Sequence, residues 1–346
     1  MNRSNISRRF LLGLALVSVP LACFSADKVT KPNKIVIAVG GMEKQIYLPA
    51  KLAEQLGFFK EEGLDVELVN TRAGVQAENE LIAGDVQAVV GFYDHTIDIQ
   101  SKGKSIITIA QLSRTPGEVV LVPTKLTSVI KTPANFKNRT LGITAPGSST
   151  DFLMQALAAK YGLKAGQYST IGVGAGDTFI AAMKQGKIDA GMTTEPTISQ
   201  MVSTGDARIM IDLRSEESTD GALGGAYPAA SMYVSSSWLA KNKPTAQKLA
   251  NAMVKTLHWM HLNSSPTIVD KMPKEYYAGN RDLYLKGLIE GRDQFTPDGR
   301  MPDKGPETVL KVLSTFSPSM KGKKIDLSKT YTMEFVEAAN KAFKFR

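Results

Sequence analysis

Hydrophobic positions in this chain come as short unbroken runs separated by stretches of helical spacing, and the same succession occurs twice. In the first half, Ile35-Val36-Ile37-Ala38-Val39 is an apolar run of strand length. Helical spacing follows from Leu48 to Leu56 and stops at Gly57, glycine being the residue that most readily ends a helix. A second strand run covers Leu64 to Val69, and a helical stretch from Gln76 to Ala83 closes on Gly84-Asp85-Val86-Gln87-Ala88-Val89-Val90-Gly91. The second half repeats this order: a strand at Thr140-Leu141-Gly142-Ile143, a helix over 151–161 ending at Gly162, and a strand from Ser169 to Val173. Its next helix, over 178–185, closes on Gly186-Lys187-Ile188-Asp189-Ala190-Gly191. Strands alternating with helices at this spacing predict right-handed parallel βαβ units with helices on both faces of each sheet.

Two copies of such a unit make two α/β lobes. Val119 to Val122 reads as a strand that carries the chain into the second lobe, and Ala230 to Val234 as one that leaves it. The expected division is 34–117 with 236–346 for the first lobe and 118–235 for the second, with hinge crossings near 115–120 and 229–236. Two such crossings form a hinge that bends while each lobe stays rigid. Beyond Trp238 the pattern is mostly helical, and these helices are expected to pack back onto the first lobe.

The length of 346 residues suits two lobes, and 43% hydrophobic with 22% charged residues is an ordinary globular composition. At the N-terminus, Arg3, Arg8 and Arg9 precede the apolar run Phe10 to Ala22, and small residues lead to a polar start at Asp27. That is the pattern of an export signal over 1–26, cleaved near 22–27, and too short to span a membrane. Ser7-Arg8-Arg9-Phe10-Leu11-Leu12 also resembles a twin-arginine signal, and Cys23 leaves a lipoprotein reading open. Cys23 is the one cysteine, so a chain without this segment has no thiol for a disulfide, a metal site or a nucleophile. The formal charge of +9 falls to +6 once the three arginines of the segment are gone. The lysines are scattered and not interleaved with aromatics, which excludes nucleic acid as an expected partner.

Ligands of open parallel sheets bind beyond the carboxyl ends of the strands, so the residues that follow each strand are the candidates. In the first lobe these are Gly41, Gln45, Tyr47, Gly74, Phe92, Tyr93, Asp94 and Arg114; in the second they are Ser148, Ser149, Thr150, Glu195, Gly225 and Tyr227. Gly147-Ser148-Ser149-Thr150 offers hydroxyls and free amides at a helix start, an anion seat or a plain helix cap. Arg114 can clamp a carboxylate or sulfonate with two parallel bonds, or make an ion pair between lobes. Glu195 can accept from a ligand amine, or serve as a surface or hinge carboxylate. Tyr47, Phe92, Tyr93 and Tyr227 can sandwich a flat ligand or belong to the core. His258 and His261 lack companion ligands at metal spacing, and the glycines of Gly172-Val173-Gly174-Ala175-Gly176 do not fit a nucleotide fingerprint. No metal or cofactor is expected.

An ordered set of segments resembles the nitrate/sulfonate/taurine solute-binding family, whose relatives include binders of bicarbonate and of thiamine-precursor pyrimidines. The set comprises Gly57-Phe58-Phe59, Gly63-Leu64-Asp65-Val66, Gly84-Asp85-Val86, Phe136-Lys137-Asn138-Arg139-Thr140-Leu141-Gly142-Ile143, Gly147-Ser148, Gly186-Lys187-Ile188-Asp189-Ala190, Glu195-Pro196 and Ile325-Asp326-Leu327. The resemblance implies a two-lobed periplasmic-binding-protein fold of type II, a Venus flytrap. It further implies a monomeric, periplasmic, non-enzymatic protein that captures a small polar or anionic solute, sulfonate- or taurine-like, for an ABC permease. In pyrimidine-binding relatives an acid before the proline pairs with the ligand amine, the place Glu195 holds here, so an aminopyrimidine or aromatic ligand stays open. A periplasmic sensor for a receptor is the other alternative. Relatives that make the thiamine pyrimidine carry a cysteine-rich motif that this chain lacks.

Overall fold

The computed structural model describes residues 34–277 and 279–344, so the expected export segment and Cys23 lie outside the described residues. Ten strands are described: β1 (Lys34–Val39), β2 (Asp65–Asn70), β3 (Ala88–Phe92), β4 (Ile106–Gln111), β5 (Glu118–Pro123), β6 (Thr140–Ile143), β7 (Ser169–Gly172), β8 (Ala190–Thr194), β9 (Ala207–Asp212) and β10 (Ala230–Ser235). They form two five-stranded sheets, ordered β2-β1-β3-β10-β4 and β7-β6-β8-β5-β9. Each sheet is the heart of one lobe. Strands β3 and β8 are buried along their whole length, as expected where helices cover both faces and no solvent side exists to alternate with.

The repeat read from the sequence is the repeat of the fold. β1 pairs in parallel with β2 and β3, and β6 in parallel with β7 and β8. Val86 and Ile188, equivalent in the two copies, are both buried just before β3 and β8. Each sheet also holds one antiparallel strand, and in each case it is the strand arriving from the other lobe: β10 between β3 and β4, β5 between β8 and β9. The expected division therefore shifts at one point. β10 was assigned to the second lobe and stands in the first sheet, because its run Ala230 to Val234 is buried between two first-lobe strands. The chain crosses over 112–117, between β4 and β5, and returns over 224–229.

The first lobe's helices are α1 (Leu48–Gln55), α2 (Phe58–Glu61), α3 (Gly74–Ala83) and α4 (Asp94–Ser101). The second lobe's are α5 (Ser149–Lys160), α6 (Asp177–Lys184), α7 (Thr197–Ser203) and α8 (Glu216–Leu223). After β10 come α9 (Ser236–Lys241), α10 (Lys243–Leu262), α11 (Ser265–Lys271), α12 (Arg281–Gly291), α13 (Gly305–Ser314) and α14 (Glu334–Phe343). Strand β5 shows how the layers form: Val120 and Val122 join Leu153 and Leu157 of α5, whereas Val119 and Leu121 join Phe179 of α6 and Ile198 of α7. Successive side chains of a strand point to opposite faces, so one strand feeds two helical layers.

In the first lobe, α10 and α14 pack on the sheet through Leu249, Met253, Leu257, Phe335 and Val336, as the sequence led us to expect. Helix α13 departs from that expectation. Its buried Val309, Val312 and Leu313, spaced for one helix face, join Leu153 and Leu157 of the second lobe and also Tyr93 and Ile97 of the first. The C-terminal part of the chain thus braces both lobes on one side. Among the described residues no helix is long and apolar enough to cross a membrane.

Candidate functional site

Because each sheet presents the carboxyl ends of its parallel strands to the other lobe, the loops after those strands meet in a cleft. The first lobe contributes Lys44, Ile46 and Tyr47 after β1, Gly74 after β2 and Phe92 at the end of β3. Across from them stand Thr144 and Ser148 to Thr150 after β6, Ala175 after β7, and Thr193 with Thr194 at the end of β8. Glu118 joins them because β5 runs antiparallel, which brings its first residue to the same edge. These groups enclose a cavity of about 20 Å³, room for a water-sized occupant. Glycines allow this close approach: a Cβ on Gly40 would lie 2.9 Å from the Gly74 Cα, and one on Gly74 would lie 2.8 Å from His95 Nε2.

The second-lobe wall is the start of α5. Thr150 Oγ1 accepts from the Thr144 amide at 2.8 Å and pairs with Ser148 Oγ at 2.8 Å, while Ser148 Oγ donates to the Ala145 carbonyl at 2.7 Å. The hydroxyls therefore brace the loop against the end of β6, and Ser148, at the N-cap, makes no side-chain cap. The amides of the first turn lack intrahelical partners, as at any helix start, and carry a partial positive charge.

Two ionisable side chains, Lys44 and Glu118, line this cavity. Lys44, buried, gives one hydrogen bond to the Gly40 carbonyl at 2.7 Å. Burial pushes its ammonium pKa down, against the pull of Glu43 and Glu118. Burial drives the Glu118 carboxyl well above its ordinary range, Asp94 adds to that, and Lys44 opposes it. Glu118 Oε2 and Thr193 Oγ1 have no hydrogen-bond partner among the described residues. Tyr47 stacks edge-on against Phe92, with centroids 6.2 Å apart, and its phenol is raised well above the usual value by burial, Glu118 and Asp94.

Hydrogen bonds between the lobes hold the cleft closed. Ser149 Oγ donates to Asp94 Oδ1 at 2.8 Å, Tyr227 OH to Asp94 Oδ2 at 3.1 Å, and the Gln45 amide to the Glu195 carbonyl at 3.0 Å. Burial raises the Asp94 pKa, opposed by the charge of His95 and by these donors. Behind Gly74, His95 Nδ1 lies 2.8 Å from Glu78 Oε2, both side chains buried. Burial pushes the imidazole down, but Glu78, with Asp94 and Asp98, carries its pKa up to about 9.

Of the residues expected at the site, Tyr47, Gly74, Phe92, Ser148, Ser149 and Thr150 line the cavity. The others are placed elsewhere. Gly41 lies under the Lys44 side chain. Gln45 donates its side-chain amide to the Tyr284 carbonyl, and Tyr93 pairs with Thr330 Oγ1 at 2.5 Å inside the core. Asp94 and Tyr227 are spent on each other and on Ser149. Gly225 packs against Thr308 of α13. Arg114 pairs with Glu216 at 2.8 Å and donates to the Asp293 carbonyl, outside the cavity.

Glu195 is turned away as well. Its carboxylate accepts from the Ser199 amide at 3.0 Å and from Arg214 Nη1 at 3.2 Å, pressed against Gly287 of α12. The carboxylate that lines the cavity is Glu118, which was not among the residues expected there. Lys44, in the loop after β1, lines the cavity as well and was not among the expected site residues either. The available signal for Glu118 was a lone acid beside the crossing, on one of the two strands whose start, not its end, reaches the cleft edge.

Comparison with known proteins gives these observations a setting. The sequence profile of the family described as NMT1/THI5 like matches residues 47–265. A solved structure from Bordetella bronchiseptica RB50 is 36% identical and superposes with a TM-score of 0.87, covering 91% of this chain and 99% of that one. YtlA of Bacillus subtilis (strain 168) is 25% identical over 301 residues, 84% of this chain and 85% of its own. The alkanesulfonate-binding protein SsuA from Xanthomonas axonopodis pv. citri, solved bound to MOPS, shares the fold at 16% identity and a TM-score of 0.69 over 88% of this chain and 99% of its own.

Proposed function

The chain belongs to the NMT1/THI5-like family, and from that premise we propose that it is the extracytoplasmic solute-binding component of an ABC importer. It captures a small polar or anionic organic solute, sulfonate- or taurine-like, between its lobes and delivers it to a permease, without chemical conversion. It works in the periplasm as a monomer.

The observation that carries this reading is the make-up of the cleft. Carboxyl ends of parallel strands from both lobes converge on one water-sized cavity, lined by buried polar groups and a helix start. A solute larger than water enters when the lobes part, and its free energy of binding comes from hydrogen bonds completed when they close. The aminopyrimidine alternative rested on Glu195, whose carboxylate is engaged by Ser199 and Arg214.

A thermal-shift screen of the protein against sulfonates, nitrate, bicarbonate, carboxylates, aromatic acids and aminopyrimidines tests the proposal. A true ligand at about 100 times its Kd adds roughly 2.7 kcal/mol of stability, a plain rise in Tm. One chemical class raising Tm is the expected result; a flat response across the panel overturns solute capture in this cleft.

A further inference from the structure

We infer that Glu118 serves the cleft as a neutral carboxylic acid that donates a hydrogen bond to a bound anion, so that anion capture is linked to a proton. The inference rests on the solute-binding reading above and concerns how that site balances charge. Glu118 is 3% exposed and lines the cavity, and its Oε2 has no hydrogen-bond partner among the described residues. Buried carboxylates elsewhere in the chain gather donors. Glu195 receives the Ser199 amide and Arg214, and Asp94 receives Ser149 and Tyr227. Donors favour the charged form of a carboxyl, and Glu118 Oε2 has none.

The charged groups around Glu118 lead to the same assignment. Lys44 faces it from the loop after β1, Tyr47 from just before α1, Asp94 from the start of α4 and Tyr227 from the segment before β10. Glu43 stands next to Lys44, and His95 next to Asp94. The lining residues of the second lobe are hydroxyl-bearing or alanine and carry no charge. Of the nearby cations, His95 lies against Glu78 at 2.8 Å, which leaves Lys44.

Two buried carboxyl groups, Glu118 and Asp94, thus share one lining ammonium. An arriving anion adds a third negative charge where water is excluded, and uncompensated charge is strongly unfavourable there. Burial and a like charge both raise the proton affinity of a carboxyl, so the proton settles on Glu118, the carboxyl with an oxygen lacking donors. The direction of its shift agrees: burial first and then Asp94 drive it well above the ordinary range, against Lys44. In its acid form Glu118 is a donor and no longer a competing negative charge. It then acts beside Lys44, which spends one of its three donors on the Gly40 carbonyl, and beside the start of α5.

The test is calorimetric titration of the full chain with ethanesulfonate and with nitrate, anions of strong acids that do not themselves titrate. Repeating each titration in buffers of different ionisation enthalpy counts the protons taken up per anion bound. Where the free protein already holds the Glu118 proton, affinity is flat with pH; above that range, binding must bring the proton in. Affinity should therefore fall as pH is raised above neutrality, by up to about tenfold per unit, with proton uptake over the same range. Infrared difference spectra of the unsubstituted protein should gain the carbonyl band of a protonated carboxyl when either anion is added there. Glu118→Gln, a neutral donor that cannot titrate, should abolish the uptake and flatten the profile. Glu118→Leu, which offers no donor, should weaken binding about tenfold at low pH. Binding without proton uptake at any pH overturns the inference and leaves solute capture standing. So does uptake that persists in Glu118→Gln, which would belong to His95 or Lys44. Binding of neither anion also overturns it, and a flat response across the wider screen overturns both readings.

Discussion

Ser149, at the start of α5 in the second lobe, donates to Asp94, at the start of α4 in the first, over 2.8 Å, and this is one of the hydrogen bonds that span the cleft. Removing the hydroxyl with Ser149→Ala leaves a buried carboxylate oxygen short of a donor, a loss of about 1–2 kcal/mol. The expected outcome is a lower Tm together with a larger radius of gyration by small-angle scattering, as the lobes spend more time apart. An unchanged radius would mean that the remaining bonds, Tyr227 to Asp94 and Gln45 to Glu195, together with the C-terminal brace, set closure without Ser149.

Glu195 is expected to govern stability and not affinity. Arg214→Ala leaves its buried carboxylate without the guanidinium that also reaches Asp212 and Glu290. Breaking such a pair on one side costs about 3 kcal/mol. Chemical denaturation should show that loss, while calorimetry on the surviving folded fraction shows ligand affinity within about twofold of the parent. A large loss of affinity with intact stability would return Glu195 to the ligand.

Gly117, on the outward crossing, sits at φ 64° with its missing Cβ directed at Gln294 Oε1, 1.8 Å away, and at Ile46 Cδ1, 2.9 Å away. Gly117→Ala therefore combines left-handed backbone strain with a clash, and should lower stability by about 2 kcal/mol or more. Equilibrium urea unfolding checks it. Ala at Gly57, equally left-handed but with nothing near its Cβ, should cost less.

The buried pair of His95 and Glu78 gives stability a pH dependence of definite sign. The imidazole pKa rises from 6.5 to about 9 on folding. Below 6.5 the folded and unfolded chains both hold the proton, and the contribution of about 3 kcal/mol is fully present. It is lost progressively as pH climbs from 6.5 through 9. Denaturation midpoints measured across that window should fall for the parent protein and stay flatter in His95→Gln.

The architecture was legible because its signal is periodic. Apolar runs such as Ile35 to Val39, and the paired Gly84 and Gly186 segments, announce parallel units whatever their surroundings. The loops after β1, β2, β3 and β6 were legible for the same reason, since strand ends locate a cleft. What stayed hidden depends on contacts distant in sequence. That Gly287 covers Glu195, or that Arg214 engages it, is not written in the local pattern of either segment. Nor does Lys44 differ from a surface lysine until Gly40 and Gly74 close over its neighbourhood. The placement of β10 was misjudged because a strand leaving one lobe and a strand completing the other read identically as an apolar run.

That exchange of strands governs the order in which the molecule can be built. β4 attaches to the first sheet only through β10, which follows the whole of the second lobe in the chain. A ribosome that has released residues 34–117 has therefore made a three-stranded fragment and a stray strand, not a lobe. The second sheet, by contrast, has its five strands in one unbroken stretch from β5 to β9 and can assemble while the first waits. Its strands can thus pair before the first sheet is whole, while the layer that α13 adds against α5 through Val309, Val312 and Leu313 must wait for the C-terminal part of the chain.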